Sequence, residues 1–114
     1  MSDWKIKYYA PIVSASPVYE FINSLTEKAQ SKIYRTFELL IQYNITLRDP
    51  HVKKLIGTSL WELRILGEDS IRILYIADKE STFFLLHGFK KKKPKTPRKE
   101  INIALKRLAE YSTR

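Results

Sequence analysis

Two strand-borne arginines, a glutamate two positions before the first of them and a dense run of lysines are the residues of this chain best suited to chemistry. In LWELRI (60–65) Glu62 and Arg64 fall on one face of an extended strand, and Trp61, Leu63 and Ile65 on the other. In SIRILYIA (70–77) Arg72 alternates with Ile71 and Ile73. A guanidinium in the middle of an apolar strand costs desolvation unless an anion meets it. One reading is an internal ion pair of Glu62 with Arg64 or Arg72. The other is a concave, basic sheet face on which Arg64 and Arg72 grip a phosphate in bidentate fashion. Both hold together if Glu62 orients an arginine that also meets the ligand.

His87 stands near the end of STFFLLHGF (81–89), beside Gly88-Phe89. It is either a structural histidine satisfied by a backbone carbonyl or a proton carrier near neutral pH in phosphodiester cleavage. Directly after it, seven of the ten positions 90–99 are basic: Lys90, Lys91, Lys92, Lys93, Lys95, Arg98 and Lys99. Residues 81–114 carry 10 Lys/Arg against 2 Asp/Glu, whereas residues 1–80 carry 11 against 10, so the net charge of +9 is concentrated in the last third. Such a field attracts a polyanion, because phosphates release condensed counterions when lysine or arginine replaces them. A solvated face, an address signal or a solubility segment would also explain a lysine run. Pro94 and Pro97 favour extended backbone that fans the lysines into solvent, and a helix opening at Pro97 adds free N–H groups and partial positive charge. Nucleic-acid contact is therefore the expectation here. Phe89 is a base-stacking candidate or a core aromatic, and Lys53 and Lys54 are candidates to extend the basic patch. Lysines as crowded as Lys90 to Lys93 also disfavour one another's protonation. His51, after the turn pair Asp49-Pro50, is expected in a surface loop.

Composition narrows the field. The chain of 114 residues, 44% hydrophobic and 12% aromatic, is sized and composed for one folded domain spanning 1–114. It has no cysteine, hence no disulfide framework, thiolate metal site or cysteine nucleophile, and its two histidines lack any HExxH spacing. No metal site or cofactor is expected. The start, MSDWKIKYYAP, has no signal-peptide pattern and no stretch approaches the roughly 20 apolar residues of a membrane span, so a cytoplasmic protein without membrane contact is expected.

The elements that must hold these residues follow from periodicity. Trp4 to Tyr9 alternates as a strand, stopped by Pro11. Ser16-Pro17 opens a short helix to about Leu25. Thr26 caps a longer one, whose Ala29, Ile33, Phe37, Leu40 and Ile41 form a single apolar face. The segments 60–65, 70–77 and 81–89 then follow at hairpin spacing, separated by Leu66-Gly67-Glu68-Asp69 and Ala77-Asp78-Lys79-Glu80. Thr96-Pro97 reads as a cap and first-turn proline for a final helix with the stripe Ile101, Ala104, Leu105, Leu108 and Tyr111. The expected fold is an α+β domain of order βααβββα: an antiparallel sheet of about four strands, two N-terminal helices, one C-terminal helix, and the first strand at one edge.

The combination LWELR, RILY and HGFxKKxxKTPxxEI resembles the RelE/HigB superfamily of toxins from bacterial toxin–antitoxin pairs, in particular its HigB-like, phage-related branch. The resemblance rests on residues 53–65, 71–75 and 83–107; the first half of the chain matches in element order. It implies the small RelE-like fold and a type II toxin acting as a metal-independent, ribosome-dependent mRNA endonuclease that inhibits translation. It also implies neutralisation by an antitoxin, in this branch often a helix-turn-helix protein. By the same resemblance Arg72 stabilises the phosphate and transition state, Arg64 supports it, and Lys90 or Lys91 stabilises charge or protonates the leaving 5′-oxygen. The chain departs from the RelE branch at Glu62, where that branch has a lysine, and in having no tyrosine between Lys91 and Tyr111. The general base is then His87 or a lysine of depressed pKa. Two other readings stay open: a non-catalytic RNA- or ribosome-binding module, and an inactive homologue that acts only as antitoxin partner or corepressor.

Overall fold

Three consecutive strands of alternating side chains, each buried on one face, must be covered from both sides unless one face stays wet. The computed structural model describes residues 3–67 and 70–114 and shows how this chain does it. The elements are β1 (Lys5–Tyr8), α1 (Pro17–Asn23), α2 (Glu27–Tyr43), a 3₁₀ turn (Asn44–Thr46), β2 (Val52–Lys54), β3 (Trp61–Arg64), β4 (Ile71–Asp78), β5 (Thr82–Lys90) and α3 (Arg98–Ser112). The sheet runs β1-β5-β4-β3-β2, antiparallel throughout except for β1, which pairs with β5 in parallel.

The α+β class, the helix order and the edge position of β1 match the sequence reading, with two differences. The sheet has five strands, because Val52–Lys54 pairs with β3 in the register Lys53 opposite Glu62. Three residues, two of them lysines, give too short an alternation to register as a strand. The sheet is also mixed, since α1 and α2 intervene before β1 finds its partner in β5.

Helix starts follow the expected chemistry at two of three places. Ser16 and Thr26 accept bonds from the Tyr19 and Ala29 amides, as caps do. At α3 the expectation fails: Pro97 occupies the cap position without a side-chain bond, and the Thr96 hydroxyl donates instead to the Glu62 carboxylate. A buried carboxylate needs donors more than an exposed helix end does, since water can satisfy the latter.

Alternation divides the core. Leu63, Ile65, Ile71, Ile73, Tyr75, Phe83 and Leu85 face α1 and α2, meeting Val18, Ile22, Ile33, Phe37 and Leu40. Gly88 lies on this side with α1 directly above it; a Cβ there would stand 2.5 Å from the Phe21 ring. The other face packs Leu74, Phe84, Leu86 and Phe89 against the expected stripe of α3. A β-bulge, with Leu74 opposite His87 and Tyr75 opposite Leu85, leaves Leu86 extra in β5. The β3–β4 turn begins at Gly67, whose φ of +81° suits glycine; Glu68 and Asp69 of the expected turn lie outside the described residues.

Candidate phosphate-binding active site

Arg64 and Arg72 are direct cross-strand partners and therefore project from the same face of the sheet. Glu62, two residues before Arg64, shares that face and is 0% exposed. Its Oε1 gathers three cations: Arg72 Nε at 3.5 Å, Arg64 Nε at 3.6 Å and Lys91 Nζ at 3.9 Å. Its Oε2 accepts from the Thr96 hydroxyl. Arg64 Nη1 also reaches Asp49 Oδ1 at 3.4 Å, and Arg72 Nη1 donates to the Ile71 carbonyl at 3.1 Å. The internal ion pair expected of Glu62 with the arginines therefore exists, and the cations it collects sit together.

Lys91 extends β5 by one bond, its amide donating to the Ser70 carbonyl at 2.9 Å. Its side chain is only 8% exposed. Burial lowers its pKa, and Arg72, Arg64 and Lys53 push the same way against the opposing pull of Glu62. Burial likewise lowers the Arg72 pKa, with Glu62 opposing and Arg64 adding to the effect. A guanidinium so placed stays charged at neutral pH.

The other candidates are sorted by strand alternation. Lys90 pairs with Ile71 and lies on the α1/α2 side, so Lys91 is the lysine of this pair at the arginines. Lys53 is opposite Glu62, close enough to influence Lys91. Lys54 turns the other way, with its ammonium on the Thr58 carbonyl and 5.7 Å from the Trp61 ring centre. Lys92, Lys93, Lys95, Arg98 and Lys99 are exposed along the segment entering α3. Phe89 is 6% exposed and its ring stacks on His87, so its faces are occupied by core packing.

His87 is displaced from the arginines by Leu74, which lies between it and Glu62 in one cross-sheet row. Its Nε2 meets Glu100 Oε1 at 2.7 Å and its Nδ1 meets Arg107 Nη1 at 3.3 Å. Burial lowers its pKa, Glu100 works against this and Arg107 adds to it. His51 is a half-buried loop residue whose carbonyl accepts from the Arg64 amide at 2.7 Å. Thr96 is the site residue that sequence reasoning missed. A threonine before proline reads locally as a cap, and the Glu62 side chain that recruits it is 34 positions away.

Among the described residues no group of three or more acids and histidines is arranged to hold a metal, and no helix is long and apolar enough to cross a membrane. Residues 20–109 match the family model described as phage derived protein Gp49-like (DUF891). A chain of the archaeal RelE–RelB complex from Pyrococcus horikoshii OT3 is similar in fold, with a TM-score of 0.60 and 20% identity over 79% of this chain and 97% of that one. No curated protein matches the sequence. With the family match spanning most of its length, the chain belongs to the Gp49-like phage-derived family, and its arrangement of sheet and helices is RelE-like.

Proposed function

We propose that this chain is the toxin of a type II toxin–antitoxin pair and an endoribonuclease that cleaves mRNA on the bacterial ribosome without a metal. The observation that carries the reading is the convergence of Arg64, Arg72 and Lys91 on one buried carboxylate oxygen, at the foot of a strongly basic segment. Such an array fits the equatorial oxygens of a phosphate, where charge accumulates during in-line attack. The exposed cations from Lys92 to Lys99, together with Lys53, then track the RNA backbone or ribosomal RNA on either side.

The reaction joins the 2′-oxygen of a ribose to the neighbouring phosphorus and breaks the bond to the 5′-oxygen. Lys91, in its neutral form, takes the 2′-hydroxyl proton; water protonates the departing 5′-oxygen; the ends are a 2′,3′-cyclic phosphate and a 5′-hydroxyl. Lys91 is preferred to His87 because it touches the arginine array, whereas both ring nitrogens of His87 already have partners on α3. Arg72 and Arg64 hold the phosphate.

The two bases predict different pH profiles. A lysine base whose pKa burial lowers from its ordinary 10.5 gives a single-turnover rate that climbs with pH until that ammonium has lost its proton. A histidine lowered from 6.5 is already neutral above that value, so its rate no longer climbs there.

The partner is a cognate antitoxin of helix-turn-helix type, the place of action the cytoplasm where ribosomes are. The deciding experiment is brief induction in a bacterium followed by primer extension on a translated message. Arrest of protein synthesis within minutes, with cuts inside codons, is the expected result. Equal cutting of untranslated RNA would make the protein a free ribonuclease, and intact message under arrest would make it a non-catalytic ribosome binder.

A further inference from the structure

Among the described residues Glu62 is the only fully buried acid, and it lies where an RNA-binding surface would least tolerate negative charge. Its geometry explains why it is there. Each arginine brings its Nε within ion-pair distance of the same oxygen, at 3.5 and 3.6 Å but without hydrogen-bond geometry, and uses Nη1 on a different acceptor. A planar guanidinium that ion-pairs at its Nε edge and hydrogen-bonds through Nη1 at the opposite corner is restricted in orientation. The Lys91 ammonium joins the same oxygen from the end of β5. Thr96 binds the other oxygen, so one carboxylate spans β3, β4, the end of β5 and the far end of the basic segment.

We propose that Glu62, anchored by the Thr96 hydroxyl, is a positioning residue of the site, which weakens RNA binding and raises turnover by holding Arg64, Arg72 and Lys91 in one fixed array. The inference rests on the site being an RNA-cleaving one. A carboxylate inside a cationic cluster subtracts one charge from the field that draws in the polyanion, so neutralising it strengthens binding. Removing it also lets three long cationic side chains spread apart under their mutual repulsion, and misplacement by about 1 Å is enough to lose on the order of 10²-fold in rate. Affinity and turnover therefore move in opposite directions, which neither a merely structural acid nor a direct RNA contact would produce.

The test uses the full chain in four forms: wild type, Glu62→Gln, Thr96→Val and Thr96→Ser. Binding of a labelled single-stranded RNA is followed over a series of salt concentrations, and kcat and KM are read from mRNA cleavage on purified translating ribosomes. Glu62→Gln is expected to bind RNA more tightly, with a log affinity–log salt slope steeper by about 0.7, while kcat falls on the order of 10²-fold. Thr96→Val leaves the charge and the salt slope unchanged and lowers kcat about tenfold, as loss of an orienting partner does; Thr96→Ser restores kcat.

Loss of affinity and turnover together in Glu62→Gln overturns the proposal, as does wild-type behaviour of that variant. If Glu62→Gln fails to fold, the threonine pair decides: equal kcat for the valine and serine variants overturns it. A wild-type protein that neither binds the RNA nor cuts ribosome-bound message refutes the reading of the site itself, before any variant is compared.

Discussion

On the α1/α2 side of the sheet, Leu63 and Ile73 have no exposed surface and belong to one apolar core cluster. One residue away along the same two strands, Glu62, Arg64 and Arg72 turn to the opposite side and build a cationic cluster. The two faces differ in what covers them. Two helices blanket the first, whereas α3 covers the second through its stripe on Leu74, Phe84 and Leu86, and the segment entering α3 supplies Thr96 to the arginine end. Where helical cover gives way to a loop, charge is tolerated, because the loop brings hydroxyl and ammonium partners and solvent reaches the rim. A single alternation thus supplies wholly apolar packing to one face and gathers the cations at one end of the other.

The largest expected effect separates the two faces directly. Arg72→Ala removes a donor from the cationic cluster without touching the apolar side. It is expected to lower mRNA cleavage by about 10² to 10³ and to abolish growth arrest in an expressing bacterium. Circular dichroism and thermal melting should show the fold retained. An Arg72→Ala protein as toxic as the parent would remove Arg72 from the chemistry. The reciprocal change is Ile73→Ala, one position along, which opens a cavity beneath α1 and α2 at a cost of about 2–5 kcal/mol. Chemical denaturation measures it, and the fraction still folded should cleave at close to the parental rate. Loss of rate in the folded fraction would mean that the two faces are coupled through the strand.

The sequence carried this division plainly, since alternation within 60–65 and within 70–77 already sets Trp61, Leu63, Ile65, Ile71 and Ile73 on the faces opposite to Glu62, Arg64 and Arg72. Strand phase also decides between Lys90 and Lys91, but only once the register with Ile71 is known, and register depends on a bulge at Leu86 that no local pattern announces. His87 illustrates the same limit. Its place beside the lysines in sequence suggests the site, yet the bulge turns it to Glu100 and Arg107 on α3. Thr96 was illegible for a different reason: its partner is a buried carboxylate reached across the tertiary fold, and local capping chemistry gave a sufficient alternative. Helix caps, stripes and strand cores were readable because each depends on neighbours within one turn or one strand.

A smaller effect probes the covered face where α1 crosses β5. Gly88→Ala would put a Cβ 2.5 Å from the Phe21 ring, a contact that forces the ring or the helix to shift. Overpacking of this kind costs about 1–3 kcal/mol, read as a lowered midpoint in denaturant. Because Arg72 and Phe89 are partnered one residue away, the cleavage rate also reports whether the strain crosses the sheet. An unchanged rate keeps the faces independent.

The smallest expected effect concerns the boundary between the covered and open parts of the second face, where His87 joins β5 to α3. Its pKa in the folded chain is lowered, by burial first, with Glu100 opposing and Arg107 assisting. In the unfolded chain it titrates near 6.5. Below that value the unfolded state binds the proton more readily than the folded one, so acidification draws the equilibrium toward unfolding; above it both states are neutral and the contribution is complete. Stability should therefore decline as pH falls below about 6.5, followed as the melting temperature between pH 7.5 and pH 5. His87→Gln keeps a polar group near Glu100 and Arg107 but cannot titrate, so it should remove this part of the decline and leave the cleavage rate near parental. A His87→Gln protein that folds yet has lost cleavage would move the general base from Lys91 to His87, and with it the boundary between the structural and the reactive halves of that face.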